Sequence, residues 1–230
     1  MKNLIRKIKR TLEKAMVNAV IYMFARRTKD FFFIEIGAGN GIANDFIRYH
    51  VLKWKWRGVL IEPVKYIFEE LVNNYKGYDN LIFENISISD KNEVRNFYRL
   101  KKTCDDLPIW YDQLGSFNRD VVLKHKKDIP NIEDYLIVER MECITLRNLL
   151  QKHSIKRIDF LSIDTEGYDY ALIKSIDFNV IKPKIIRYEY KHLGKRERDE
   201  CVKLLRNNGY AMIIQENDVF AFLRIGSLKI

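Results

Sequence analysis

Cysteine is scarce in this chain, and the little there is has no pattern. Cys104, Cys143 and Cys201 are odd in number and widely separated, and no Cys-x-x-Cys pair occurs. That argues against a disulfide framework and a cysteine-ligated zinc site, and it fits a reducing, cytoplasmic setting. Long hydrophobic runs are missing too. The nearest approach, AMVNAVIYMFA at residues 15–25, falls short of the roughly 20 apolar residues needed to cross a bilayer. No small-residue cleavage site follows the basic start, and no internal repeat, low-complexity stretch or nucleic-acid-binding motif is visible. What remains is 230 residues, 47% hydrophobic and 31% charged, enough to bury one full globular core.

Acid is almost absent from the first 29 residues. Nine basic side chains stand there against Glu13 alone, so +8 of the net +10 sits in this arm and the body is nearly neutral. A nucleic-acid partner is therefore not expected. Leu4, Ile5, Ile8, Leu12, Ala15, Met16 and Ala19 recur at helical spacing, which predicts a basic amphipathic helix. Such a helix either packs on the domain or lies peripherally on an anionic membrane surface. The chain divides on this reading into an arm, 1–29, and a domain, 30–230.

Glycine is sparing as well, ten in all, yet three fall at alternate positions, Gly37, Gly39 and Gly41, directly behind the apolar run FFFIEI. A buried strand, a glycine turn and a helix running to about His50 are expected here, with the bare backbone open to a ligand. Strand and helix patterns then alternate. Expected strands are Gly58–Ile61, NLIFENISIS, NEVRNFYRL, IVERMECITL, RIDFLSID and KIIRYEYK, with AMIIQ and VFAFL as a closing hairpin. Expected helices are VKYIFEELVNNY, TLRNLLQKH, 168–175 and 196–208, and KKTCDDLPIWYDQLGSFNRDVVLKHKKDIPN is expected to be a loop or short helical insertion. The alternation predicts an α/β, mostly parallel, doubly wound sheet ending in an antiparallel hairpin. Ligands on such sheets bind beyond the carboxyl ends of the strands.

The residues at those ends are the candidates for chemistry. The glycines depart from the dinucleotide spacing G-x-G-x-x-G, whose last position here is Ile42, and match the G-x-G-x-G of loops that bind S-adenosylmethionine (SAM). Glu35 could orient the ammonium group of SAM through the loop. Glu62, closing the second strand, could accept hydrogen bonds from both ribose hydroxyls. Asp164 and Glu166, in FLSIDTEGYD, are acids at the end of a wholly apolar strand, a costly placement unless they bind or react. Asp164 could act as base or orient an acceptor hydroxyl, and His192 is a second candidate base. Asp164, Glu166 and Glu189 could also form an oxygen-rich divalent-metal site. Helix capping by Asp164 or Thr165 is the structural alternative.

The order of these motifs is informative. FIEIGAGNG, GVLIEP, NISISDKNEVRNFY, ITLRNLLQKHSIKRIDFLSIDTEGYD and KPKIIRYEYKH together resemble the FkbM-type methyltransferase family from about Phe31 to Leu193. The resemblance implies a Rossmann-like class I fold, SAM as cofactor and methyl transfer to oxygen. It implies acceptors that are hydroxyls of sugars, glycans or natural products. It places Asn85 and Ser87 at the adenine, and it implies that the insertion Lys101–Asn131, with Trp110, Tyr111, Ser116 and Phe117, covers the acceptor. Two other readings stay open: an NAD(P)-dependent sugar enzyme, for which no Tyr-x-x-x-Lys pair stands at the needed place, and a binding scaffold without catalysis.

Overall fold

The computed structural model describes residues 2–224 except 44, 104–106, 109 and 216, so Cys104 lies outside the described residues. A long helix, α1 (Lys2–Arg26), leads into β1 (Phe32–Ile36), α2 (Arg48–Trp54), β2 (Arg57–Ile61), α3 (Lys65–Asn74) and β3 (Leu81–Glu84). Shorter pieces follow: β4 (Ser87–Ser89), β5 (Glu93–Leu100), β6 (Gly115–Ser116), α4 (Arg119–Leu123), α5 (Ile132–Tyr135) and β7 (Leu136–Thr145). The alternation resumes with α6 (Leu146–Lys152), β8 (Phe160–Ile163), α7 (Asp169–Ser175), β9 (Ile185–Glu189) and α8 (Lys195–Asn207), and closes on β10 (Tyr210–Ile214) and β11 (Asp218–Leu223).

Seven strands form the main sheet in the order β10-β11-β9-β8-β1-β2-β3. The five from β9 to β3 are parallel, and β11 runs antiparallel to both β9 and β10. This is the expected doubly wound sheet with its hairpin. β8 and β9 are buried along their whole length, and β1 and β2 for all but their first residue, because helices cover both faces. One core, built on Ile34, Leu161, Ile163 and Ile186, packs against α6 to α8. The other, on Phe33, Leu60 and Phe160, packs against α1 to α3. Sequential winding leaves all parallel carboxyl ends on one rim, with β8 beside β1. Asp164 and Gly37 therefore follow neighbouring strands.

Two expectations are corrected, and a choice left open in a third is decided. NLIFENISIS is not one strand: it breaks at Asn85 and Ile86, and β4 joins β7, β5 and β6 in a second, four-stranded sheet. Of the two forms expected for the insertion, the structure shows the short helical one. Its 3₁₀ turns, β6 and α4 fold over a small core of Leu100, Leu114, Val122, Ile129 and Ile132. The helix after the glycines starts only at Arg48, because side chains hold residues 40–43 and 45–47 in turns. Asn40 Oδ1 accepts the amides of Ile42 and Ala43, and Asp45 Oδ1 those of Ile47 and Arg48.

The arm is one helix with two characters. Val17, Ile21 and Phe24 are buried in the second core, whereas Ile5, Leu12 and Ile8 are 61%, 64% and 51% exposed. Packing and exposure thus both occur, on successive halves. Among the described residues no helix is long and apolar enough to cross a membrane.

Candidate active site

All three loop glycines adopt positive φ, +81° at Gly37, +53° at Gly39 and +71° at Gly41, but for different reasons. A Cβ on Gly37 would stand 1.8 Å from the carbonyl oxygen of Asp164, so this glycine lets β1 and β8 close up at their ends. A Cβ on Gly41 would meet Leu71 and Tyr75 of α3 at 2.6 Å, and Gly41 does not line the cleft. Gly39 alone is open, with nothing nearer than Gln113 Oε1 at 3.8 Å. Backbone free for a ligand is confined to that turn.

The cleft above it measures about 160 Å³ and is walled by Gly37, Gly39, Glu35, Glu62, Ser87 and Phe117. Glu62 Oε2 accepts the Gly39 amide at 3.0 Å and Oε1 accepts the Val64 amide at 2.8 Å. Burial, only partly offset by these two amides, pushes Glu62 up to about 7. Among the described residues Glu35 Oε2 and Ser87 Oγ have no hydrogen-bond partner, and both are buried. Burial, then Asp45, raises Glu35 well above the ordinary carboxylate range. Glu35 and Ser87 both wall the cleft, where an unpaired buried polar atom is open to the polar groups of a ligand. Asn85 is not among them. It is exposed, and its amide donates to the carbonyls of Glu62 and Pro63 at 2.8 and 3.0 Å, which ties β3 to β2.

A second cavity of about 700 Å³ lies against the first. Gln113, Asp164, Glu166 and Arg187 wall both and mark the passage between them. Trp110, Gln113 and Leu114 of the insertion, Lys14 and Asn18 of α1, and Asn217 complete the larger one. Of the insertion residues singled out from sequence, Trp110 faces this cavity and Phe117 faces the smaller cleft. Ser116 Oγ donates to the Glu166 carbonyl at 2.7 Å.

Arg187 organises the passage. It is nearly buried and reaches Asp164 at 3.4 Å, Asp218 at 3.0 Å and Ser162 Oγ at 3.2 Å. Burial still raises Asp164, to about 6, against the pull of Arg187. Burial and the carboxylates of Asp164 and Glu166 push Glu189 up to about 9. His192 stands beside Glu166 and Glu189, not beside Asp164. The oxygen-rich trio expected from sequence is thus divided: Asp164 belongs to Arg187, while Glu166 and Glu189 belong with His192. Asp164 is not a helix cap either. Asp169 accepts from the amide and hydroxyl of Thr165 instead.

Sequence reasoning passed over Arg187, Asp45, Asp218 and Gln113. For Arg187 a signal existed, since a charge inside the apolar strand IIRYE needs a buried counter-charge.

A sequence model of the family described as "Methyltransferase FkbM domain" matches residues 35–212. None of the curated proteins compared with the chain matches it. Among solved structures the chain is similar to methyltransferase FkbM from Methylobacillus flagellatus, at 12% identity and a TM-score of 0.49, over 84% of this chain and 43% of that one. It is similar to a precorrin-6y C5,15-methyltransferase from Geobacter metallireducens at 13% identity and a TM-score of 0.44, covering 90% and 85%. The N-terminal domain of human METTL16 in complex with SAH gives 13% and 0.46, covering 91% and 68%. The chain spans less than half the length of the FkbM structure.

Proposed function

From the premise that this chain belongs to the FkbM methyltransferase family, with a Rossmann-like class I fold and SAM as its cofactor, we propose that it methylates a hydroxyl oxygen of a sugar, glycan or related natural product. The observation that carries this reading is the meeting of two cavities at Asp164, Glu166 and Arg187. We assign the smaller cavity to part of the cofactor and the larger one to an acceptor.

The fit to SAM rests on the open turn at Gly39, the carboxylate of Glu62, and the orphaned Ser87 Oγ and Glu35 Oε2. SAM supplies a methyl group on a sulfonium, and transfer is an in-line displacement that needs positioning above all. The acceptor oxygen forms its new bond to the methyl carbon as the carbon–sulfur bond breaks. The hydroxyl proton leaves toward Asp164, whose raised pKa suits a base working near neutrality. Arg187 holds that carboxylate in place through its contacts with Ser162 and Asp218. The larger cavity mixes polar groups with an aromatic face at Trp110, which suits a sugar ring.

The same reading sets the enzyme peripherally on an anionic membrane. The exposed stripe Ile5, Ile8, Leu12 and Met16 lies on the half of α1 that also carries Lys2, Arg6, Lys7, Lys9 and Arg10. Farther along, Lys14 and Asn18 of this helix line the acceptor cavity, which favours an acceptor held at the lipid surface.

Methyl-labelled SAM incubated with glycolipid and polysaccharide fractions tests the proposal. Wild-type protein should label an oxygen of one fraction. Asp164→Asn should lose about 100-fold or more in rate, a general base's share, and keep its affinity for S-adenosylhomocysteine (SAH) within about twofold. Label on nitrogen or carbon would overturn the oxygen assignment.

A further inference from the structure

We propose that Glu166, Glu189 and His192 bind one divalent first-row transition-metal ion at the acceptor end of the passage. Glu166 follows β8, Glu189 ends β9, and His192 lies just beyond it, so neighbouring strands deliver all three to one point. One donor atom from each lies within 4.8 Å of the others. His192 Nε2 is 2.8 Å from Glu166 Oε2 and 3.5 Å from Glu189 Oε2. An ion with bonds of about 2.1 Å sets adjacent donors roughly 3.0 to 3.4 Å apart, a range that falls between the two spacings here.

A second observation separates this cluster from an ordinary ion pair. The three atoms nearest one another are buried, and among the described residues none makes a well-aligned hydrogen bond. Only 6% of the His192 side chain is exposed, yet its Nε2 lines up with neither oxygen. A ring proton shared with a carboxylate would lie along one of those lines. An ion bound to adjacent donors lies about 45° off the line joining them, so the misalignment is what coordination requires. Glu189 keeps Oε2 for the ion because its Oε1 faces Lys191 Nζ at 3.6 Å. Glu166 is fixed at φ +49° by the close contact of its carbonyl with Ser116.

An imidazole with two carboxylates favours manganese, iron or zinc over magnesium and calcium, which prefer oxygen alone. Three protein donors leave coordination positions open, as in catalytic metal sites. Glu166 and Glu189 line the larger cavity, so those positions face the acceptor. That an acceptor hydroxyl occupies one of them rests on the methyltransferase reading; the binding of the ion does not.

Chelator-stripped protein titrated with Mn²⁺ decides the matter, followed by calorimetry and by electron spin-echo spectroscopy for coupling to nitrogen. Expected are one Mn²⁺ per chain, weaker binding of Mg²⁺, and a nitrogen coupling that His192→Ala abolishes. Both His192→Ala and Glu189→Gln should weaken Mn²⁺ at least about tenfold while retaining SAH binding as proof of folding. Absence of a one-to-one site, or affinity and coupling unchanged in both variants, would overturn the proposal. An SAH titration in parallel keeps the readings apart. Mn²⁺ bound without SAH supports the ion and tells against the cofactor, whereas SAH bound without Mn²⁺ removes only the ion.

Discussion

Glu62 Oε2 accepts the amide of Gly39 at 3.0 Å, which couples the end of β2 to the one glycine of the loop that is open to a ligand. The carboxylate therefore shapes the turn, and on the proposed reading its remaining lone pairs receive the ribose hydroxyls. Glu62→Ala should weaken SAH by about tenfold to 100-fold, the worth of charged hydrogen bonds. Unchanged affinity by calorimetry would remove Glu62 from the cofactor site.

Glu62 also gives two pH trends of opposite sign. Burial raises it to about 7 in the folded chain, above its ordinary unfolded value near 4.5. The folded state thus holds the extra proton between those limits. Its contribution to stability is full below about 4.5 and is lost as pH rises through about 7. Ribose binding needs the ionised form, so SAH affinity should instead fall as pH drops below about 7. Thermal unfolding of wild type against Glu62→Gln between pH 5 and 8 checks the first trend, where wild type should gain on the variant with acidification. Calorimetry over the same range checks the second.

The glycines predict a division of labour. Gly37→Ala forces a Cβ to 1.8 Å from the Asp164 carbonyl, a backbone atom that cannot step aside, and should cost more than about 3 kcal/mol of stability. Gly39→Ala has room and bears only the left-handed strain, about 1–2 kcal/mol. It should fold and lose SAH affinity. Urea denaturation separates the two, and equal destabilisation would refute the assignment of Gly39 to the ligand.

These roles show where the sequence was legible. Largely apolar runs such as FLSI read as buried parallel strands, and the acids and glycines at their ends fell on one rim for that reason. Gly41 looked equivalent to Gly39, because spacing does not reveal that Leu71 and Tyr75 pack against one and not the other. Asn85 carried no mark of its bonds to Glu62 and Pro63. The second sheet was obscured because β5 and β7 are only partly buried, so their strand patterns did not say which sheet they join. Arg187 was passed over because its meaning depends on Asp218, which comes 31 residues later and meets it only through the antiparallel return of β11.

That pairing yields a stability prediction. Arg187→Met leaves Asp164 and Asp218 without their buried cation and should destabilise by about 3–5 kcal/mol. Adding Asp218→Asn should restore part of the loss, since one stranded charge is then gone. Denaturation of the single and double variants measures it. Strictly additive effects would show that the two side chains do not interact.

The arm calls for a test that spares the core. Deleting it would remove Val17, Ile21 and Phe24 and expose the hydrophobic cluster beneath them, so loss of membrane binding could follow from misfolding alone. Ile5→Glu, Ile8→Glu and Leu12→Glu together change only the exposed half of α1. Wild type should float with vesicles rich in anionic phosphatidylserine and stay behind with neutral phosphatidylcholine. Its binding should fall as salt shortens the reach of the lysines and arginines. The triple variant should remain unbound at low salt and unfold at the temperature of wild type. Equal flotation of variant and wild type would reassign the stripe, and with it the expectation that the acceptor reaches Lys14 and Asn18 from a lipid surface.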